Sequence, residues 1–445
     1  LAPARPLAWL GAHERRMRAQ GAAAVALLAA AALIAWRGAS MAAGFAMMGA
    51  LLLGAALLLP VLLGAALRWA AARARGPILG WALADARAGL SGLSLALMAL
   101  MLALSANIGV GAMVGGFRLT FETWLDQRLA ADFYLRAPPE QVAALEAAAA
   151  ADPGVRALLP SRSVEMRVDG WPVEAQGLPP APLFRETWPL IAALPDAWDL
   201  VAAGEGALVS EQLARRLGVG PGDRFAAPAA EGPWTLTVAG VYPDYGNPKG
   251  QIVVDHAAHL AQFPEARAGS FHLLADAAAA ERLAALPEVE MIDQAGVKAF
   301  SLGLFERTFA VTAALNVLTL AVAAVALLAS LAALADMRLP QLAPLWAMGV
   351  TRARLARLEM AKILGLALAT ALLAIPFGMA LAWALVAVVN VQAFGWRLPL
   401  HAFPGEWLRL IALALAAAGL AALWPIRRLA RTPPAALAQA LAQDR

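Results

Sequence analysis

The 445-residue chain contains no cysteine, which excludes disulfides, thiolate metal sites and a thiol nucleophile. Any water-facing domain it carries must hold together by packing alone. Charge is scarce too: 15% of residues are charged against 61% hydrophobic, with mean hydropathy +0.65, which excludes an ordinary soluble enzyme. No GxxxxGK[ST] loop is present, so the chain brings no P-loop of its own. The absence of a GxSxG elbow and an HExxH helix argues against hydrolases of those types. Acidic residues are missing from every long apolar run. A proton- or ion-coupled transporter keeps such a costly buried charge for coupling, so energy for any transport has to come from elsewhere, most simply a separate ATPase.

What the chain does have is six apolar runs, Gly21–Trp36, Met41–Leu67, Leu90–Met113, Phe309–Leu334, Ile363–Asn390 and Leu410–Pro425. Runs this long and nearly free of charge are membrane-helix candidates. The first two, separated only by Arg37 to Ser40, form an antiparallel hairpin. Pro60 and Pro376 fall inside the second and fifth runs and are expected to kink them. Gly111 and Gly115 have the small-xxx-small spacing that lets helices approach closely, or else mark loose packing near a helix end.

The pI near 9.9 and net charge of +4 reflect a topology signal rather than a nucleic-acid patch. Lys and Arg gather in residues 1–20, 68–89, 336–362 and 426–445, which the positive-inside rule assigns to the cytoplasm. Both ends of the chain are then cytoplasmic and the large domain is outside. The predicted fold class is an α-helical membrane protein of about six transmembrane helices plus one mixed α+β extracytoplasmic domain. Its parts are a cytoplasmic lead (1–20), a transmembrane hairpin (21–67), a cytoplasmic connection (68–89), a first core helix (90–116), the outer domain (117–306), three core helices (307–425) and a cytoplasmic tail (426–445).

Inside the outer domain, alternation predicts strands at Asp132–Arg136, Ser163–Val168, Thr235–Val241 and Gln251–Val254. Helical patterns lie at Pro139–Ala151, Ser210–Leu217 and Ala278–Leu286. Ser210 reads as an N-cap. Gly218 to Asp223 read as a turn rather than a phosphate cradle. Asp255, His256 and His259 could set two imidazoles and a carboxylate near one helical face, a spacing metals use, but no further ligand has a claim from the pattern.

The basic island Asp336–Lys362 separates the fourth and fifth runs, with Arg338, Arg352, Arg354, Arg357 and Lys362 set against Asp336 and Glu359. Leu342, Leu345, Trp346 and Met348 fall on apolar spacing in a short cytoplasmic helix. Such a helix either seats in a groove of a partner or lies on lipid.

Three stretches carry a resemblance. Arg338 to Val350 (RLPQLAPLWAMGV), Trp424 to Ala436 (WPIRRLARTPPAA) and Ala207 to Phe225 (ALVSEQLARRLGVGPGDRF) are similar to the FtsX-like permeases of ABC transporters, the group of MacB, LolC and LolE. The resemblance covers about three quarters of the chain, and it implies a permease in the bacterial inner membrane. It implies a dimeric ABC ATPase partner that carries the ATP and Mg, with no cofactor and no catalysis in this chain. Also implied are a second permease half or copy, contact with membrane lipids and a periplasmic cargo-binding protein, but no nucleic acid. The outer domain would act on lipid, lipoprotein or peptide. By the resemblance Arg338, Leu342, Leu345, Trp346, Met348, Gly349 and Arg352 couple to the ATPase, although Pro340 and Gln341 stand where relatives often carry an acidic residue. The hairpin 21–67 would bridge to an N-terminal half encoded upstream, in a ten-helix permease. A sensor or scaffold protein that binds an outside partner without ATP is the rival reading.

Overall fold

A computed structural model describes residues 6–37, 40–230, 232–265 and 269–431; the side chains of 6–14, 16, 305, 308, 311–313, 315, 334–347 and 428–431 lie outside the description. The chain divides into two units. One comprises Leu1–Gly116, Phe309–Val389 and Leu400–Arg445, and the other Phe117–Thr308 and Asn390–Pro399.

The first unit is helical. It is built from α1 (Pro6–Arg37), α2 (Met41–Arg73), most of α3 (Pro77–Arg128) and, after the other unit's elements, parts of α10 (Gln294–Ala347), α11 (Arg352–Ala384) and α13 (Pro404–Arg431). Ala and Leu dominate these stretches and lose little side-chain freedom in a helix. The breaks between them are chemically specified. Ser40 Oγ accepts from Ala43 N at 3.2 Å to open α2, and Gly76 (φ +110) followed by Pro77 separates α2 from α3. Pro60 and Pro376 lie within α2 and α11.

Six helices among the described residues are long and apolar enough to cross a membrane. Their inward faces make one core. Leu59 and Leu63 of α2 join Leu93, Leu97, Leu100, Leu104 and Ile108 of α3, Leu327 of α10, Leu366 and Ala374 of α11, and Ala414 and Ala418 of α13. Helical spacing of 3 or 4 produces that stripe. The outward faces are apolar too, with Val317 72% and Leu420 68% exposed. Water would disfavour such a surface and hydrocarbon would not. The hairpin is part of this packing, since a Cβ on Gly44 would stand 3.0 Å from Val389.

The second unit is a ten-stranded mixed sheet with helices. Its elements are β1 (Phe133–Arg136), α4 (Val142–Ala151), β2 (Val155–Val168), β3 (Trp171–Leu178), α5 (Pro182–Thr187), β4 (Ala192–Ala193), α6 (Ala197–Ala202), β5 (Gly206–Ser210), α7 (Glu211–Leu217), β6 (Arg224–Ala229), β7 (Gly232–Tyr242), β8 (Gly250–Asp255), α8 (His256–Gln262), β9 (Ser270–Ala275), α9 (Ala277–Ala284) and β10 (Glu290–Asp293). The strand order is β10-β1-β9-β2-β3-β8-β5-β7-β4, with β6 on β7. Pairing is antiparallel except for β3 with β8 and β5 with β7. β2 is the common member of both halves: residues 155–161 pair with β9 and 162–168 with β3. Asp169 and Gly170, at φ 49 and 74, make the two-residue turn from β2 to β3.

The strand and helix patterns read from the sequence in this region fall on β1, β2, β7, β8, α4, α7 and α9. Ser210 stands at the N-cap position of α7, as read from the sequence, but its side chain makes no cap hydrogen bond; buried completely, it accepts instead from Gln251 N at 2.9 Å, because β5 delivers it into the sheet interior.

Candidate functional site

The proposed coupling segment does not form a short helix of its own. The backbone of α10 stays helical through Pro340 to Ala347, and α11 starts at Arg352, so 336–362 is the meeting of two long helices at a tight turn. Gly349 makes the turn with φ +91, a conformation that costs other residues. Thr351 reopens the helix as its N-cap, accepting from Arg354 N at 3.4 Å, and Leu355, 2% exposed, anchors the first turn of α11. Met348, Gly349 and Arg352 therefore stand together, with Met348 73% exposed. Arg338, Leu342, Leu345 and Trp346 belong to the α10 backbone, and their side chains lie outside the described residues.

Lys362, one of the island's cations, has a side chain only 6% exposed. Its Nζ lies 2.8 Å from Asp85 Oδ2 of α3 and 2.6 Å from Glu359 Oε1, with all three side chains nearly buried. Removing the lysine would take a buried cation away from both carboxylates, a destabilising change. The Glu359–Lys362 spacing of three was visible in the sequence; the arrival of Asp85 was not.

Farther along the helices, α3 is tied to both its partners. Asn107 Nδ2 donates to Thr319 Oγ1 of α10 at 3.0 Å and to its own Ala103 O at 2.7 Å, and Ser105 Oγ donates to Ala374 O of α11 at 3.3 Å. The close approach comes from Gly109 and Gly378. A Cβ at Gly378 would stand 2.6 Å from Ile108 Cβ, and one at Gly109 would stand 2.7 Å from Leu381 Cδ2. Gly111 faces open space and Gly115 meets only the Phe403 ring at 3.1 Å, so the spacing signal selected the neighbouring face of the helix.

The last turns of α3 and the first of α10 form a joint with the sheet. Lys298 pairs with Asp126 at 2.5 Å, Arg118 reaches Glu306 at 3.1 Å, and Gln294 donates to Leu129 O. Arg128 ends α3 with its guanidinium 3.8 Å over the Trp188 ring, and its Nη2 donates to Gln251 Oε1 at 3.3 Å. Tyr242 OH donates to the same oxygen at 2.7 Å. Burial pushes the Tyr242 hydroxyl well above its ordinary pKa and raises the Asp244 carboxyl as well, against the lowering effect of Arg128. Around it Phe117, Phe121 and Trp124 stack along one face of α3, and Trp124 Nε1 donates to Pro243 O at 2.8 Å. Composition did not reveal this joint, because its members come from α3, α10, the strands β7 and β8, and the segments that follow α5 and β7.

The possible metal triplet serves the fold instead. Asp255 Oδ2 caps α8, accepting from Ala257 N and Ala258 N at 2.8 and 3.0 Å, and His259 Nε2 lies 3.1 Å from Ala175 O. Among the described residues no group of three His, Cys, Asp or Glu could hold a metal ion. The glycines after α7 make its left-handed C-cap at Gly218 (φ +69), and Asp223 Oδ2 accepts from Gly220 N at 2.9 Å.

A family model described as FtsX-like permease C-terminal matches residues 313–434, and one described as MacB-like periplasmic core domain matches residues 93–287. The uncharacterized ABC transporter permease protein Rv0987 of Mycobacterium tuberculosis is 29% identical over 364 residues, covering 77% of this chain and 43% of that protein. The chain thus spans less than half the length of that relative. Among solved structures, the extracellular domain of the noncanonic ABC-type transporter YknZ from Gram-positive bacteria is similar at TM-score 0.27 and 12% identity, covering 37% of this chain and 99% of that domain.

Proposed function

We infer that this chain, which belongs to the FtsX/MacB-like ABC transporter permeases, passes ATP-driven motion from a separate ATPase dimer to its outer unit. ATP and Mg belong to that ATPase, and this chain performs no catalysis. The observation that carries the reading is the continuity of α3 and α10. Each is a single helix of more than fifty residues, more than twice the ~20 that a bilayer needs, and each contributes residues to both units. A displacement at the turn after α10 then has a helical path to the sheet, where Lys298 and Asp126 bind the two helices together. Such coupling is rigid-body in kind.

The turn Met348–Thr351 is the ATPase contact in this reading, with Arg338, Leu342, Leu345, Trp346 and Arg352 beside it. The outer unit works on lipid, lipoprotein or peptide outside the cytoplasmic membrane of a bacterium, with a second permease half completing the assembly and a periplasmic cargo-binding protein supplying it. Both chain ends lie in the cytoplasm.

The test is co-purification with a P-loop ATPase and measurement of its turnover. Met348→Glu and Trp346→Glu are expected to weaken association by about tenfold or more, as anchor residues do. Gly349→Trp is a poorer probe because the positive φ strains any side chain there. Unchanged association and unchanged turnover in both charged variants would overturn the reading in favour of a scaffold that works without ATP.

A further inference from the structure

The chain enters the outer unit a second time at Asn390–Pro399, directly after the π-wound segment Leu385–Val389 that ends α11. Asn390 begins a short helix, α12 (Asn390–Phe394), and its Nδ2 donates to Trp396 O at 2.7 Å, which closes the loop on itself. Trp396 is buried, stacked on Phe117 at 5.5 Å and edge-on to Tyr245 at 5.3 Å. Gly395, at φ +79, lies against α7 so closely that a Cβ would stand 2.8 Å from Gln212 Cβ and 3.0 Å from Gln212 Cα. Only glycine meets both demands.

Beside it the Arg397 backbone N–H donates to Glu211 Oε2 at 3.2 Å, while Arg215 Nη2 donates to Glu211 Oε1 at 2.6 Å. The Glu211 side chain is 8% exposed, and a carboxylate that deep is stable only when its oxygens are so satisfied. Gln212 is held on its far side, where its amide donates to Lys249 O at 3.1 Å. α7 is thus gripped between loop 390–399 and the segment before β8.

We propose that loop 390–399 and α7 form a clasp that delivers movement of α11 to the outer unit, with Glu211 and Gly395 as its positioning residues. This rests on the permease reading and adds a path to it. The coupling turn then has a helical route to the sheet on each side, α10 upstream and α11 downstream. The π-wound segment sits where the second route enters the clasp, and such segments recur at functional sites.

The experiment uses the full chain with its co-purified ATPase in lipid nanodiscs. Because the chain has no cysteine, Trp36→Cys and Asp169→Cys, both exposed, take spin labels at no other position of the chain, and labelling it before the ATPase is added back keeps the partner unlabelled. The ATP-dependent change in their distance is expected to be lost in Glu211→Ala and in Gly395→Ala. Glu211→Gln keeps an acceptor for Arg397 N–H and is expected to restore the wild-type change. Hydrogen exchange at residues 395–399 is expected to quicken in the two disruptive variants only. A wild-type distance change in both would overturn transmission through the clasp, and unaltered exchange in Gly395→Ala would overturn the contact. A wild-type chain with no ATP response would remove the permease reading and this route with it, while the exchange measurement still judges the clasp.

Discussion

His272 stands edge-on between two rings, 5.3 Å from Tyr134 and 5.2 Å from Phe184, and burial holds its pKa down to about 4 from an ordinary 6.5, with nearby Arg128 lowering it further. Between those values the unfolded chain binds a proton that the folded chain does not. The His272 contribution to stability is therefore complete above about pH 6.5, falls as the pH drops toward 4, and is constant below that, a total of roughly 3 kcal/mol. Denaturant midpoints followed by tryptophan fluorescence at pH 7 and pH 4.5 check the slope. His272→Phe should flatten it, and an undiminished slope in that variant would assign the loss to other groups. No sequence pattern singled out His272, because its partner Tyr134 reaches it only through the register of β1 on β9. Glu211, Asp85 and Arg128 were equally silent: each owes its role to residues far away in the chain. Asp255, in contrast, was noticed with a metal ligand as one possible role and none assigned, since an N-cap carboxylate and a metal ligand look alike in one dimension.

Helix identity was legible because a long apolar run has few alternatives, whereas the face each helix presents was not. The glycines of α3 and α11 show the difference. Gly378→Ala is expected to cost about 1–3 kcal/mol, since its Cβ would press on Ile108 at 2.6 Å and on the backbone oxygen of Ser105 at 3.1 Å. Gly111→Ala meets nothing within 4 Å and should be neutral or gain up to about 1 kcal/mol from helix propensity. Thermal midpoints of the purified protein in one detergent rank them, and the reverse order would refute the facing described for α3 and α11. The basic island likewise looked like an element because charge interrupted hydropathy. Helical hydrogen bonding ignores that interruption, and only Gly349 with the Thr351 cap ends one helix and begins the next.

For the molecule as a whole, the cysteine-free chain makes its orientation open to direct measurement. Met348→Cys should react with a membrane-impermeant maleimide only from the cytoplasmic side, and Asp169→Cys only from outside. Labelling of both from one side would overturn the orientation drawn from the basic segments. What the sequence by itself determined was the membrane class, the order of helix, domain and three helices, and the resemblance that the two family matches bear out. These follow from composition, run length and local motifs, all of which are properties of neighbours along the chain. Only the tertiary structure decided that Lys362 is shared by Asp85 and Glu359, that Gly109 and Gly378 carry the helix contact, and that a ten-residue loop after α11 grips α7. Burial, register and helix rotation set those pairings, and each depends on the whole chain closing at once.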